Sequence, residues 1–242
     1  MAGIPLAPHP VIDPYLVKVD SFFHFNIKYI IQLSNQFSMV NTLFNDTYLS
    51  IEFACILTLG LLPLINWQSY KNLTFMFFNL MTITFIFCYF FPSVGPAYSY
   101  HNIKFSNTAT DLAASYINLR NNPILSSPSS CISCPSWHVI IALLITISWW
   151  PTKKFYIRYF ILGYCSLLIF SVFPTGMHYL TDVIASFILV AITYFITYKL
   201  FPKVKHYDFV VPLAFLELLL ATKKTAIYKK LCNTIFNFRC RQ

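Results

Sequence analysis

The chain has 242 residues and a mass of 28.1 kDa; 57% of its residues are hydrophobic, 19% aromatic and 10% charged. A soluble globular chain carries about 25% charged residues, so this one has too little polar surface for a water-facing exterior, and disordered, collagen-like and coiled-coil classes are excluded as well. The net charge of +9, from 17 Lys+Arg against 8 Asp+Glu, does not indicate nucleic acid, because the basic residues cluster beside apolar runs and not on a polar face.

In chain order, the first 20 residues contain Pro5, Pro8, Pro10 and Pro14 and lack a basic start followed by an apolar run, so no cleavable signal peptide is expected. Ser21 to Val40 is apolar but broken by Lys28, Gln32, Asn35 and Gln36, the pattern of an amphipathic helix lying in the membrane interface. Residues 1–48 are therefore expected to form an interfacial segment. A spanning helix needs roughly 20 mostly apolar residues, and five stretches qualify or come close: Leu49 to Trp67, Leu73 to Phe91, Pro135 to Trp150, Phe155 to Phe173 and Tyr179 to Phe201. The third would reach only about 24 Å at about 1.5 Å per residue, so its first turn is expected below the membrane surface in a protein-lined recess. Phe209 to Ala221, interrupted by Pro212 and Glu217, is too short to cross and is expected to lie, with the lysines after it, on an anionic leaflet. The fold class is all-α: a polytopic membrane bundle of about five spans, with a membrane domain over 49–201 and a basic tail over 202–242.

The distribution of positive charge orients these spans. Lys71, Lys153, Lys154, Arg158 and the nine basic residues from Lys199 to Arg241 fall on one face, leaving Lys18, Lys28, Lys104 and Arg120 on the other. The positive-inside rule makes the first face, with the C-terminus, cytoplasmic. The second face then carries the connection over residues 92–134, which is long enough to serve as a functional lid. Trp67, Trp149 and Trp150 at cytoplasmic ends are expected to be interface anchors.

Two histidines sit at outer mouths of spans: His138, after Pro135-Ser136-Trp137, and His178, four residues before Asp182. Ionisable groups at membrane depth are costly and usually functional. On a helix His178 and Asp182 share a face, so the carboxylate can accept an imidazole N–H and leave the other ring nitrogen free as nucleophile or base. His138 would protonate a leaving oxygen, and a helix N-terminus after Pro135 would face an anion. Each histidine could instead be a satisfied interhelical hydrogen-bond partner. A metal site is disfavoured, because two histidines and an aspartate so separated lack compact ligand spacing. Cys131 and Cys134 form either a local disulfide or two free thiols.

Pro135-Ser136-Trp137-His138, followed some 40 residues later by His178-x-x-x-Asp182, resembles the second and third motifs of the type 2 phosphatidic acid phosphatase superfamily. The resemblance runs from about Asp13 to Phe201, since Phe91 to Tyr98 is similar to the preceding loop in the branch that includes inositol phosphorylceramide synthase and bacterial relatives. It implies that His138 is the general acid, His178 the nucleophile and Asp182 its partner. The chain has no Arg-Pro pair for the family's first motif, and Val172 stands where the third motif has arginine, as in that branch. Members usually have six spans, so a first span is expected to be missing.

These readings lead to a metal-independent phosphatase or phosphotransferase acting on a lipid phosphate or phosphodiester through a phosphohistidine, with no cofactor and no nucleic-acid partner. The expected setting is a bacterial inner membrane with the site on the non-cytoplasmic face. Ser136 and the Gly176 N–H are expected to cradle phosphoryl oxygens; Lys104 or Arg120 is expected to fold over the site, with Tyr98, Tyr100 and His101 as further donors. The competing class is a lipid-binding or assembly protein that kept the fold. A transporter is disfavoured, because the spans contain few ionisable residues besides Glu52, Arg158 and Asp182, and no paired broken helices.

Overall fold

A computed structural model describes residues 9–100, 102–121 and 133–200. In chain order the helices are α1 (Asp13–Phe22), α2 (Ile27–Gln36), α3 (Ser38–Leu49), α4 (Ile51–Ile65), α5 (Trp67–Phe90), the single turn α6 (Pro96–Ser99), α7 (Asn107–Asn121), α8 (Trp137–Trp149), α9 (Phe155–Ser171) and α10 (Leu180–Leu200). The fold is an all-helical bundle.

The long helices are patterned for lipid. α5 turns Ser69, Leu73, Met76, Leu80, Thr84 and Cys88 inward at helical spacing and exposes Phe75, Phe78, Ile83, Ile86 and Phe90 on its other side. α10 buries Val183, Ser186, Val190, Thr193 and Thr197 while Ile188, Ile192, Phe195 and Ile196 face out. In water this arrangement would be inverted. Against hydrocarbon it is the low-energy one, with small and hydroxylated residues at helix contacts and bulky apolar side chains outside. Ser38–Ile65, Trp67–Phe90 and Leu180–Thr197 are long and apolar enough to cross a membrane. The protein is an integral membrane protein.

α8 is the central element. It packs against α4, α5, α9 and α10, and buries Val139, Ile140, Ala142, Leu144, Ile145, Ser148 and Trp149. A helix apolar nearly all round belongs in a protein interior or in lipid, and here neighbouring helices enclose it. Its 13 residues rise about 20 Å, well short of the roughly 30 Å hydrocarbon thickness.

Several expectations are corrected. The first helical stretch long and apolar enough to cross a membrane opens at Ser38 and not at Leu49; within it Asn45 Nδ2 reaches the Asn41 carbonyl at 3.1 Å, and Asn41 Nδ2 reaches Asn35 Oδ1 at 3.3 Å. The single interfacial helix over Ser21 to Val40 is instead α2 flanked by the ends of α1 and α3, with a break at Phe23–Asn26 where His24 takes a φ of 56° and Asn26 caps the Tyr29 N–H. The second span starts early, at Trp67, because Asn66 accepts the Ser69 N–H at 3.1 Å and so caps α5. α8 and α9, which fall on two further expected spans, are apolar helices of 13 and 17 residues, and the shortness of α8 agrees with expectation. Trp149 is not an anchor: it is buried, and its Nε1–H donates to Thr58 Oγ1 at 3.2 Å. The expected tail structure beyond Leu200 lies outside the described residues.

α1 straps one end of the bundle through two buried carboxylates. Asp13 accepts the Gly95 N–H at 2.7 Å, the Val94 N–H at 2.9 Å and the Tyr179 hydroxyl at 3.2 Å. Asp20 accepts the Leu180 N–H at 2.9 Å, the Thr181 N–H at 3.0 Å and the Thr181 hydroxyl at 2.5 Å, capping α10 from a different helix. Burial raises the pKa of both carboxyls, and the main-chain donors oppose that rise.

Candidate active site

Three chain segments meet under this strap. The Val94–Gly95 turn runs so close to the 176–178 turn that a Cβ at Gly95, whose φ is 114°, would lie 2.8 Å from the Met177 carbonyl oxygen. The Ser133 N–H donates to the Ser93 carbonyl at 3.2 Å, drawing in the residues before α8. Gly176, with a φ of 72°, makes the sharp turn that delivers His178, and its missing Cβ leaves room for the Phe105 ring.

His178 is 3% exposed and its Nδ1 lies 2.9 Å from the Ser133 carbonyl oxygen. A carbonyl only accepts, so Nδ1 carries the proton and Nε2 keeps its lone pair. That Nε2 is buried and has no hydrogen-bond partner in the structure. Asp182 Oδ2 lies 3.5 Å from Nδ1 while accepting the Ser133 hydroxyl at 2.7 Å and the Tyr179 N–H at 2.8 Å. Its Oδ1 is buried without a partner. The carboxylate therefore steadies the imidazole from beside it, and the shortest contact to Nδ1 is the main-chain carbonyl.

His138 sits in the first turn of α8. Its Nδ1 is 3.1 Å from the Tyr48 hydroxyl, and the two rings stack at 3.9 Å between centroids. The His138 and His178 ring centroids are 6.1 Å apart, too far for a mutual hydrogen bond and close enough for one tetrahedral group to touch both. Both rings line a cavity of about 320 Å³, whose wall also includes Tyr48, Glu52, Thr84, Ser133, Trp137 and Gly176 among mostly apolar neighbours.

The structure thus brings His138, His178 and Asp182 together, and of the other described sequence candidates only Gly176 reaches the cavity wall. Ser136 is fully buried; its hydroxyl caps α8 by accepting the Val139 N–H at 3.3 Å, and its carbonyl accepts the Ser186 hydroxyl. Gly176 lines the cavity, but its N–H is bonded to the Phe173 carbonyl at 2.9 Å. Arg120 donates to the His9 carbonyl at 2.6 Å, Lys104 is exposed, and Tyr98 packs against Val94, Ala113 and Tyr116. Tyr100 packs with Leu16, Cys134 and Tyr179, and His101 lies outside the described residues. Val172, at the position of the family's arginine, is fully buried. Cys134 is a free thiol whose pKa burial pushes up; Cys131 lies outside the described residues. Among the described residues no three His, Cys, Asp or Glu side chains group as metal ligands would. Reasoning from sequence missed Tyr48, Ser133, Asp13 and Asp20. For the last two a signal existed: two of only 8 acidic residues stand seven apart on one short helix.

A family model described as the PAP2 superfamily matches residues 14–196. No curated protein and no solved structure matches the chain. The family match covers well over half the sequence and takes in both histidine segments and the strap's Asp20, and on that basis the chain belongs to the PAP2 superfamily.

Proposed function

We propose that the protein is a phosphatase or head-group phosphotransferase that takes a lipid phosphate or phosphodiester through a phosphohistidine at His178. Membership of the superfamily supports phosphatase-type chemistry on lipid phosphates. The observation that carries the finer reading is the buried, unpartnered His178 Nε2 at a cavity it shares with His138. In the first half-reaction Nε2 attacks phosphorus, an N–P bond forms, the P–O bond to the departing alcohol breaks, and His138 passes its proton to that alcohol. As the imidazolium that can give up a proton, His138 donates its Nδ1–H to the Tyr48 hydroxyl, which orients the ring and leaves the Nε2–H to be transferred. In the second half, water or an acceptor alcohol gives a proton to His138 and attacks phosphorus while the N–P bond breaks. Asp182 balances the charge that His178 acquires, and the N-terminal end of α8 favours the anion.

In the same reading, the cavity end of the bundle faces the non-cytoplasmic side of a bacterial inner membrane. The support is charge: Lys71, Lys153, Lys154 and Arg158 all lie at the other ends of their helices. One observation favours the alternative of a lipid-binding protein that does not turn over, namely that no Lys or Arg lines the cavity. Trapping separates the two. Protein incubated with a lipid carrying labelled phosphate and quenched should hold acid-labile, base-stable label, and His178→Ala should hold none. Equal label on the variant rejects the catalytic reading.

A further inference from the structure

Among the described residues the cavity wall has one carboxyl side chain, Glu52, and no Lys or Arg. Glu52 lies one helical turn beyond Tyr48, whose hydroxyl meets His138, so a head group anchored near it is adjacent to the reacting pair. Glu52 stands exposed in the first turn of Ile51–Ile65, a helix with no other charged residue, so its carboxylate is accessible to a ligand in the cavity. Among the described residues no ion pair or hydrogen bond engages Glu52. Lys28 instead lies 4.6 Å from the Tyr100 ring centroid, and Arg120 is bonded to the His9 carbonyl. Residues 1–8 and 122–132, the outer stretches not described, contain no Lys or Arg.

A dianionic phosphate monoester would therefore enter a site that holds Glu52 and, behind His178, Asp182, with only imidazoles and a helix N-terminus to offset its charge. A diester brings one negative charge instead of two. A diester whose head group ends in a cationic nitrogen brings none net, and offers Glu52 the partner it lacks. We infer that the site selects a zwitterionic phosphodiester lipid of the aminoalkyl class, with its ammonium held by Glu52 and its phosphorus between His138 and His178. This rests on the phosphotransfer reading of the same cavity.

The test presents purified full-length protein in neutral detergent micelles with phosphatidylethanolamine, phosphatidylglycerol and phosphatidic acid, and measures turnover together with calorimetric binding to His178→Ala. The ethanolamine lipid should exceed the glycerol lipid about tenfold in kcat/KM, with phosphatidic acid last, as one charge-assisted hydrogen bond allows. Glu52→Gln should bring the ethanolamine-to-glycerol ratio towards one, and Glu52→Lys should move the preference to phosphatidic acid. A wild-type preference for phosphatidic acid or for the glycerol lipid, or a ratio unmoved in Glu52→Gln, overturns the inference. Turnover that survives His178→Ala instead defeats the phosphotransfer reading, and binding to that variant still decides the lipid class.

Discussion

Replacing Asp20 by alanine should loosen the start of α10 and, through it, the site. The change strips two main-chain N–H groups and one hydroxyl of their acceptor, at 2.9, 3.0 and 2.5 Å. Each orphaned group costs about 1–3 kcal/mol when fully buried, but residues 180 and 181 are partly exposed and water can replace some of the loss. Loss of a helix cap costs about 1 kcal/mol and loss of an anion at a helix N-terminus a further ~0.5 kcal/mol. The cost of burying the carboxylate is recovered. The net is about 2 kcal/mol, which for a chain of this size lowers Tm by about 4–8 °C. Asp182 lies in the first turn so released, so kcat should fall about tenfold, a misplacement effect of the usual size. Asp20→Asn, which keeps one accepting oxygen, should recover about half of both losses. Thermal unfolding in detergent followed by circular dichroism, alongside label trapping, reads both quantities. A Tm within about 1 °C of wild type for Asp20→Ala would refute the trans-capping account.

Further outcomes can be checked on the same preparation. Asp13 and Asp20 have pKa values raised above their ordinary 3.8 by burial, so the stability they contribute is fully present below 3.8 and is lost as pH rises through their folded values. Tm should therefore decline as pH climbs out of the carboxyl range, and Asp20→Asn should flatten that decline; an unchanged slope rejects it. Ser133→Ala removes the hydroxyl on Asp182 but leaves the carbonyl on His178, so trapped label should fall only several-fold, whereas His178→Ala holds none; complete loss in Ser133→Ala would contradict the carbonyl's role. Gly176→Ala sets a Cβ 2.5 Å from Phe105 Cδ1 at a φ of 72°, and should cost about 2–4 kcal/mol, partly relieved by adding Phe105→Ala; a neutral Tm would show that the turn can relax. Tyr48→Phe keeps the stacked ring but loses the hydroxyl at His138 Nδ1, so kcat should drop about tenfold with a displaced pH optimum and an unaltered Tm.

The histidine pair was legible because each member follows a proline-marked turn at the mouth of an apolar run, and Asp182 because it stands one turn after His178. The shortness of α8 was legible from length alone. What escaped was whatever depends on chain crossings. Ser133 and His178 are 45 residues apart, Tyr48 and His138 are 90, and Asp20 and Thr181 are 161; no local periodicity encodes such pairs. Ser136 and Gly176 were read as phosphate donors because their residue types suit that task, yet the same hydroxyl and N–H also suit a cap and a turn, and local geometry claims them first. The start of α3 escaped for a related reason: Asn41 and Asn45 count as polar in a hydropathy reading, while in the helix Asn45 bonds back to the Asn41 carbonyl and Asn41 meets the Asn35 side chain.

The reach of the α1 strap bears on biosynthesis. Asp20 leaves the ribosome early and waits for partners at Leu180 and Thr181, which emerge only when most of the bundle has been made. A truncated translation product can insert several apolar helices and still lack the clasp that seats Asp182. The clasp is thereby reserved for chains whose synthesis has passed Leu180 and Thr181, and a fragment released before them cannot close it.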